Sequence, residues 1–491
     1  MIKDELIRQI VAQLPFTPTN EQYEALARIA LFVLSPDERA AFILRGYAGT
    51  GKTSIVSALV RALGSLKQKV TLLAPTGRAA KVFSHYSGSP SYTIHKVIYR
   101  QRTFQGEDTT FTLNYNRKRD TLFIVDEASM ISNEGRGFSM FGSGCLLDDL
   151  IRFVYESEGC KLLFVGDTAQ LPPVGEAESP ALSTHTLCTY GLRIREANLV
   201  HVVRQTHDSG ILWNATQLRM LLDEGASRIL PKLKIEDFPD VKLIPGDELV
   251  EELESSYSRT GLDETIIITR SNKRAIGYNR GIRATSFGRE EELTIGDYIM
   301  VVKNNYYWIE QLAASMNKEE ISALPTDFIA NGDIAEVVHI SRSQSLYGFH
   351  FADVTLRFPD YENLELDVRL LLETLQSEAP ALTSQESEKL FQAILEDYQD
   401  IHSKRERMRR LRANPYYNAL QVKYAYAITC HKAQGGQWKK VFLDQGYVSP
   451  DIADSSYLRW LYTAVTRATE TLYLINWPRA QTEMSREESF Y

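Results

Sequence analysis

Cysteine is scarce in this chain, and long apolar runs are absent from it. Its four cysteines among 491 residues are scattered and include no C-x-x-C pair. They are therefore predicted to be reduced thiols rather than parts of a disulfide framework, a zinc site or an iron–sulfur site. No apolar run reaches the roughly 20 residues that a membrane-spanning helix requires, and Met1–Glu5 shows no signal-peptide pattern. We expect a cytoplasmic protein without a membrane partner.

An excess of basic residues is also lacking. Lys and Arg number 55 against 63 Asp and Glu, which gives a formal net charge of -8 at pH 7. This balance argues against a protein that coats nucleic acid by bulk electrostatics, but it allows a local basic groove. The basic segment Lys404–Arg412 is interpreted as a solvated helix face, with contact to DNA phosphates as the alternative.

The clearest pattern that is present is a glycine-rich run, Arg45–Thr53, which follows the apolar stretch Ala41–Leu44. It is typical of a phosphate-binding loop, in which backbone donors at a helix N-terminus cradle a polyphosphate. Lys52 is expected to reach the β- and γ-phosphates, and the Thr53 hydroxyl to ligate Mg²⁺. The predicted nucleotide contacts in this run are Gly46, Ala48, Gly49, Thr50, Gly51, Lys52, Thr53 and Ser54.

A second element of a nucleotide site is the apolar run Thr121–Ser129, which contains two adjacent carboxylates. Asp126 is expected to hold Mg²⁺ through water, and Glu127 to polarise the attacking water. This division of labour favours hydrolysis of a γ-phosphate over a kinase reaction. A plain surface turn is the alternative for an isolated Asp-Glu pair.

A third apolar strand, Lys161–Val165, leads into Gly166–Val174, and this run resembles the third motif of superfamily 1 helicases. The resemblance implies that Gln170 senses the γ-phosphate and couples it to the nucleic-acid track. Upstream, Thr17–Gln22 resembles the N-terminal glutamine motif, which implies that Gln22 reads adenine and favours ATP. A helix cap at Asn20 is an alternative compatible with that role.

Further helicase motifs follow in the order that the family requires. Leu73–Lys81 and Tyr92–His95 resemble the strand-contacting motifs of the first motor lobe, and Ile266–Asn272 reads as a parallel strand with its loop. Such contacts meet phosphates without reading sequence. The residues expected to contact nucleic acid are Pro75, Thr76, Thr93, His95, Phe104, Asn272, Thr429 and His431.

Three motifs of the second lobe complete the set. Val202–Gln205 resembles the element whose arginine, here Arg204, reaches across the cleft to the γ-phosphate. Tyr424–Gly435 and Trp460–Ala468 resemble motifs five and six, which implies a nucleotide contact at Gly435 and an arginine finger at Arg467. The residues expected to act in catalysis are Lys52, Glu127, Gln170, Arg204 and Arg467.

The form of the fifth motif, Thr429–Gly435, points to the 1B branch, and the chain resembles the Dda/RecD-like DNA helicases from Gln22 to Arg467. The resemblance implies an ATP- and Mg²⁺-dependent enzyme that moves 5′ to 3′ on single-stranded DNA and unwinds duplex at a junction. It also implies a functional monomer with repair or replication proteins as partners. Two alternatives stay open: a superfamily 1 RNA helicase, or a nucleic-acid-stimulated ATPase subunit of a repair or recombination complex.

The expected fold class is α/β, with two RecA-like parallel-sheet motor lobes, a β-hairpin (pin) insertion and an SH3-like β-barrel insertion. Strands that alternate with helical patterns predict the two lobes. The hairpin at 96–119 is interpreted as a duplex-splitting pin, with an ordinary packed excursion as the alternative. The predicted domains are a first lobe at 1–95 and 120–200, the pin at 96–119, a second lobe at 201–292 and 417–491, and an SH3-like and helical insertion at 293–416.

Overall fold

The computed structural model describes residues 2–102, 110–135, 142–202, 209–225, 228–326 and 328–483. Across these ranges, no helix combines the length and the apolar character that a bilayer crossing demands. All four cysteines are free thiols. The elements form two large parallel sheets, a closed barrel, a two-stranded hairpin and a two-stranded parallel sheet.

The first lobe is built on a six-stranded parallel sheet with the strand order β3-β2-β6-β7-β1-β8. Its strands are β1 (Ala40–Gly46), β2 (Lys69–Ala74), β3 (Ser91–Thr93), β6 (Thr121–Val125), β7 (Lys161–Gly166) and β8 (Arg193–Leu199). Successive side chains of β1 point to opposite faces. Phe42 and Leu44 pack in one core, and Ala41 and Ile43 in the other. Because both faces are covered, the strands read as continuous apolar runs.

Helices cover both faces of this sheet. They are α1 (Ile2–Ala12), α2 (Asn20–Leu34), α3 (Lys52–Ser65), α4 (Gly77–Ser87), α5 (Ile94–Ile98), α6 (Leu146–Tyr155) and α7 (Thr184–Thr189). The cap of α2 differs from the expectation. Thr19, not Asn20, is the N-cap, because its hydroxyl accepts from the Gln22 amide while the Gln22 side chain accepts from the Thr19 backbone, which makes a capping box.

A β-hairpin leaves the first lobe after α5. Strands β4 (Tyr99–Arg102) and β5 (Thr110–Leu113) pair antiparallel, with Tyr99 opposite Leu113 and Arg102 opposite Thr110. The base of the hairpin is fixed to α6, since the Tyr99 hydroxyl donates to Asp149 Oδ2 at 2.7 Å. The turn between the strands lies outside the described residues.

The second lobe holds a five-stranded parallel sheet in the order β10-β19-β18-β11-β17. Its strands are β10 (Val241–Ile244), β11 (Thr265–Thr269), β17 (Ala427–Thr429), β18 (Trp438–Asp444) and β19 (Ala468–Ile475), and the short strands β9 (Leu233–Lys234) and β20 (Thr482–Glu483) pair beside it. Its helices are α8 (Gly210–Asp223), α9 (Leu249–Thr260), α10 (Asn272–Thr285), α16 (Cys430–Ala433) and α17 (Ser455–Val465). Helices α8 and α17 pack on one face of this sheet.

The insertion in the second lobe is a closed five-stranded barrel with attached helices. Its strands are β12 (Tyr298–Val301), β13 (Ile334–Leu346), β14 (Phe349–Phe358), β15 (Leu364–Leu371) and β16 (Leu420–Tyr424). Its helices are α11 (Tyr307–Ala314), α12 (Lys318–Ala323), α13 (Glu373–Gln376), α14 (Ser384–Glu396) and α15 (Lys404–Arg412). The closing strand β16 pairs with both β12 and β15 and therefore belongs to the barrel. The prediction placed these residues in the second lobe, which was to resume at residue 417, so the insertion extends further than predicted.

Short 3₁₀ turns connect several of these elements. They lie at Ala128–Met130, Pro180–Leu182, Pro359–Tyr361, Pro450–Ile452 and Arg479–Gln481. The turn at Pro359–Tyr361 brings the barrel onto the first lobe, since Lys81 on α4 donates to the Pro359 carbonyl at 2.8 Å and pairs with Asp360 at 3.0 Å.

Candidate active site between the two lobes

Three strands of the first sheet bring the predicted nucleotide residues to one edge. The order β6-β7-β1 makes these strands direct neighbours, and all three are parallel. Their carboxyl ends therefore meet at the same edge. Asp126 and Glu127 follow β6, Asp167 follows β7, and the phosphate-binding loop (Gly46–Lys52) follows β1.

Close packing inside the phosphate-binding loop explains its glycines. A Cβ on Gly46 would lie 2.8 Å from Thr50 Oγ1 and 2.9 Å from Lys52 Cγ. Gly51 has φ +87°, and a Cβ there would lie 2.6 Å from Gln22 Nε2. Only glycine fits positions with this backbone and this clearance. The phosphate-binding loop is therefore tightly packed at these two glycines.

Lys52 and Gln22 both bond to the backbone of this loop. Lys52 Nζ donates to the carbonyls of Gly46 at 2.5 Å and Tyr47 at 2.8 Å. Gln22 is buried, and its Nε2 donates to the Thr50 carbonyl at 2.9 Å. The side chain of Gln22 thus links the cap of α2 to the loop. Thr53 and Ser54 lie in the first turn of α3, at the helix end that favours anions.

The acidic pair after β6 has an unusual backbone and a shifted carboxyl. Glu127 has φ +49°, in the left-handed region, and its amide donates to Asp126 Oδ1 at 2.9 Å. Desolvation and the adjacent Glu127 charge raise the pKa of Asp126 to about 7, while the Lys52 ammonium acts to lower it. Carboxylate oxygens are ligands of the kind that Mg²⁺ takes, usually one or two together with substrate phosphates.

The loop after β7, here called the third-motif loop (Asp167–Leu171), is clasped by the second lobe. The Leu171 amide donates to Thr463 Oγ1 at 2.9 Å, and Gln434 Nε2 donates to the Leu171 carbonyl at 2.7 Å. Arg459 donates to the Thr168 carbonyl. Ala169 and Leu171 are buried in the core of the second lobe. A movement of the second lobe relative to the first would therefore displace this loop.

One tyrosine of the second lobe touches two of the nucleotide elements. The Tyr462 hydroxyl donates to Asp167 Oδ2 at 2.6 Å and accepts from the Ala48 amide at 2.9 Å. Asp167 Oδ1 accepts from the Ala169 amide at 2.9 Å. Gln170 is buried beside this network, and its Oε1 has no hydrogen-bond partner among the described residues.

Arg467 is buried within the second lobe. Its guanidinium donates to the Thr463 carbonyl at 3.0 Å, to the Gly436 carbonyl at 3.1 Å and to Thr466 Oγ1 at 3.2 Å. Gly435 lies next along the same loop, where a Cβ would find its nearest atoms on Ala79, Thr76 and Met130 rather than on the phosphate-binding loop. The structure therefore places Gly435 against α4.

The predicted track residues of the first lobe cap helices. Pro75 lies between β2 and α4, and Thr76 caps α4 by accepting from the Ala79 amide at 3.2 Å. Thr93 caps α5 by accepting from the Lys96 amide at 3.2 Å. Burial lowers the pKa of His95 to about 4, so its ring is neutral at pH 7. These side chains are neutral groups that could contact a nucleic-acid strand.

The track residues of the second lobe adjoin a small basic cleft. Asn272 and Thr429 line it together with Lys423 and Lys432, and His431 is exposed next to it. Burial lowers the pKa of both lysines to about 8, and for Lys432 the Lys423 charge adds to this effect. Lys432 Nζ has no hydrogen-bond partner within the described part of the chain. A buried ammonium of this kind suits a phosphate oxygen.

The two lobes also meet through a cation–π pair near these track residues. The Arg78 guanidinium on α4 lies 4.1 Å from the centre of the Trp438 ring and donates to the Gln437 carbonyl at 3.1 Å. Both residues border an open cavity of about 600 Å³ between the two lobes and the barrel. The sequence did not predict this pair: Arg78 lies in the motif Leu73–Lys81, but Trp438 lies outside every recognised motif.

Two predicted residues, Arg204 and Phe104, lie outside the described residues. Other groups in the site were overlooked although they lie inside recognised motifs. They are Gln434 in the fifth motif and Tyr462 and Thr463 in the sixth, each of which bonds to the first lobe. Their position within these motifs was the sequence feature that could have indicated a role at the interface between the lobes.

The two parallel lobes, the phosphate-binding loop and the clasped third-motif loop define a P-loop motor of two lobes. An AAA domain family model matches residues 18–228, and a UvrD-like helicase C-terminal domain model matches residues 424–475. The matched segments contain the motifs of the first lobe and the fifth and sixth motifs. With the motif order, these matches support the resemblance of the chain to superfamily 1B helicases of the Dda/RecD-like group.

Individual relatives are distant. The ATP-dependent RecD2 DNA helicase of Deinococcus radiodurans is 29% identical over 36% of this chain and 24% of its own length. The ATP-dependent DNA helicase dda of Enterobacteria phage T4 is 28% identical over 28% of this chain and 29% of its own. Protein R530 of Acanthamoeba polyphaga mimivirus is 22% identical over 92% of this chain and 99% of its own.

Solved structures align along most of the chain at low identity. The Pif1 helicase from Bacteroides in complex with ADP-AlF3 and ssDNA is 15% identical, with a TM-score of 0.47, over 96% of this chain and 95% of that one. The Pif1 helicase from Candida albicans is 14% identical, with a TM-score of 0.42, over 96% and 97%.

Proposed function

We propose that this protein is an ATP-dependent DNA helicase that moves 5′ to 3′ along single-stranded DNA and unwinds duplex DNA as a monomer. The observation that carries the proposal is the clasp of the third-motif loop by the second lobe, beside the phosphate-binding loop. A site at a movable interface can convert nucleotide turnover into relative motion of two track-binding surfaces. The DNA substrate and the polarity rest on resemblance to Dda and RecD2.

In this proposal ATP lies in the cleft, with its phosphates on the phosphate-binding loop. Lys52 exchanges its loop carbonyls for β- and γ-phosphate oxygens, and Gln22 faces the adenine. Thr53 would ligate Mg²⁺ directly and Asp126 would hold it through water, and the ion would neutralise phosphate charge. Glu127 orients and deprotonates the attacking water. The tight glycine cradle fits a polyphosphate, and the oxygen donors of Thr53 and Asp126 fit Mg²⁺.

Two arginines and Gln170 complete the proposed chemistry from the cleft walls. Arg467 exchanges the Gly436 carbonyl for a γ-phosphate oxygen as the lobes close. Arg204, by resemblance to the family motif, also reaches the γ-phosphate. Gln170 lies in the third-motif loop, where it contacts the γ-phosphate and couples its presence to the position of the second lobe. Within the described ranges Gln170 Oε1 has no hydrogen-bond partner, which leaves an acceptor for that task.

The proposed DNA path crosses both lobes on the side of α4 and α10. Thr76, Thr93 and His95 contact the phosphate backbone from the first lobe as neutral groups. On the second lobe, Asn272, Thr429 and His431 adjoin the ammonium of Lys432, which has no hydrogen-bond partner among the described residues; this supports phosphate binding there. The proposed contacts are local, so they are compatible with the overall negative charge of the chain.

The proposal is tested by ATP turnover and strand separation with defined substrates. We expect single-stranded DNA to stimulate turnover, and ATP to drive unwinding of a duplex with a 5′ single-stranded tail but not of one with a 3′ tail. Stimulation by RNA alone would instead support an RNA helicase. Stimulation by DNA without unwinding of either duplex would support an ATPase subunit of a larger complex.

A second prediction concerns the β4–β5 hairpin as the proposed pin. Its base is held to α6 by Tyr99, and Arg100 stacks on Tyr115 at 4.4 Å. A rigid base suits a wedge. Base–aromatic stacking is worth about 1–3 kcal/mol per base, comparable to the roughly 1.4 kcal/mol of one duplex stacking step. Phe104 and Phe111 are the aromatic residues near the tip in the sequence.

Replacing residues 104–111 with a short Gly-Ser turn should reduce unwinding at least about 10-fold, since one lost stacking contact of 1.4 kcal/mol is a factor of ten. Stimulation of turnover by single-stranded DNA should persist, because no nucleotide-site group is removed. Tyr447→Ala removes an 87% exposed aromatic elsewhere on the second lobe and serves as the control. Normal unwinding by the hairpin variant would show that its aromatics only pack.

A further inference from the structure

Tyr462 joins three parts of the site through one oxygen atom. It lies on α17 of the second lobe with 1% of its surface exposed, and its side chain belongs to the core of that lobe. Its hydroxyl bonds the Ala48 amide of the phosphate-binding loop and the Asp167 carboxylate of the third-motif loop. Both partners belong to the first lobe.

The direction of these bonds is fixed by the groups that take part. The backbone amide of Ala48 can only donate, so the hydroxyl accepts from it, and the single hydroxyl proton is donated to Asp167. Burial and the Asp167 charge hold the pKa of Tyr462 well above its usual range, so the hydroxyl stays protonated. The other oxygen of Asp167 is occupied by the Ala169 amide. The donor and the acceptor are therefore fixed in each of these hydrogen bonds.

Core packing alone does not require this hydroxyl. Phenylalanine would fill the same volume, yet it would leave the Ala48 amide and one oxygen of Asp167 without these bonds. The Ala48 amide belongs to the loop whose backbone donors are proposed to hold phosphates. A hydrogen bond from the opposite lobe to that loop links the position of the loop to the position of α17.

We infer that Tyr462 is a positioning residue that sets the phosphate-binding loop and the third-motif loop together when the second lobe moves. The inference deepens the proposed ATP-driven function and rests on it. As the cleft closes, α17 carries the hydroxyl, and the two loops shift with it as one unit. Tyr462 makes no contact with the reacting atoms in this role, and no covalent bond changes.

The test is Tyr462→Phe, measured as ATP turnover at varied ATP with and without single-stranded DNA. We expect kcat in the presence of DNA to fall by roughly 10-fold to 10²-fold, as for a small misplacement of reacting groups. KM for ATP should change less than about 2-fold, because the groups that bind ATP in the ground state remain. Equal losses in kcat and in ATP affinity would overturn the inference.

Tyr457→Phe is the matched control on the same helix. Tyr457 is 3% exposed, and its hydroxyl donates to Gln445 Oε1 at 2.6 Å within the second lobe. Both variants lose one buried hydroxyl, so both should lower the thermal unfolding midpoint. Only Tyr462→Phe should reduce kcat. A comparable reduction in Tyr457→Phe would show that general loosening of α17, and not the bridge, is responsible.

A double variant tests whether Tyr462 acts through Asp167. If the two residues act partly through their shared hydrogen bond, the loss in Tyr462→Phe combined with Asp167→Ala should be smaller than the product of the two single losses, since only the bond to Ala48 remains to be removed by the second change. Losses that multiply in full would overturn the proposed bridge. Wild-type turnover that DNA fails to stimulate would contradict the proposed function instead, while the ratio of variant to wild-type turnover would still decide the role of Tyr462.

Discussion

Lys52→Ala is expected to reduce ATP turnover by at least about 10²- to 10³-fold, the loss typical when one charge-stabilising donor is removed. The Lys52 ammonium lies inside the phosphate-binding loop, where it donates to two backbone carbonyls at 2.5 and 2.8 Å. Without it, the charge that develops on the β/γ-phosphate oxygens during transfer is left uncompensated. Steady-state phosphate release measures the effect.

Lys161→Ala is the matched control for this change. Lys161 lies in the same lobe and donates to the carbonyls of Phe32 and Val33 at 2.9 Å and of Ser35 at 2.5 Å, where it closes the end of α2. Its loss should lower the unfolding midpoint and leave turnover per folded molecule near that of the wild type. Turnover near wild type in Lys52→Ala would refute the site assignment.

Glu127→Gln is expected to separate nucleotide binding from hydrolysis. The amide keeps the size of the side chain, and the left-handed backbone at Glu127 is unchanged, but the amide cannot take a proton from the attacking water. The rate should fall by roughly 10²-fold or more, while affinity for ATP persists. Equilibrium binding of a fluorescent nucleotide and single-turnover hydrolysis measure the two quantities separately.

Glu176→Gln serves as the control for this loss of a carboxylate. Glu176 Oε1 accepts from Ser132 Oγ at 2.6 Å and from the Asn133 amide at 2.8 Å, and a glutamine oxygen can accept the same bonds. We expect its turnover to remain near that of the wild type. A joint loss of affinity and rate in Glu127→Gln would show that Glu127 has a structural role.

The first lobe was predictable because its strands are buried on both faces. Runs such as Ala41–Leu44 and Thr121–Val125 are apolar at every position or nearly so, and each ends at a residue with recognisable chemistry. Parallel strands with neighbouring carboxyl ends then bring those residues to one edge. Local pattern and sheet geometry agree at this site.

Other features were decided by competition between similar local signals. Thr19 and Asn20 are both good N-cap residues, and only Thr19 completes a capping box with Gln22. The barrel offers a second case. Its closing strand β16 follows two charged helices and pairs parallel with β15 through two residues, Leu420 and Gln421. So short a pairing, formed across a long connection, leaves almost no pattern to detect.

By itself, the sequence determined the order of the motifs, the phosphate-binding loop and the acidic pair, because each depends on neighbours within about ten residues. Only the tertiary structure decided which groups cross the cleft. Tyr462 meets Ala48 across 414 positions of the chain, and Arg78 meets Gln437 across 359. Such contacts depend on how two separately folded sheets dock, and docking is set by summed packing over many side chains rather than by any local pattern.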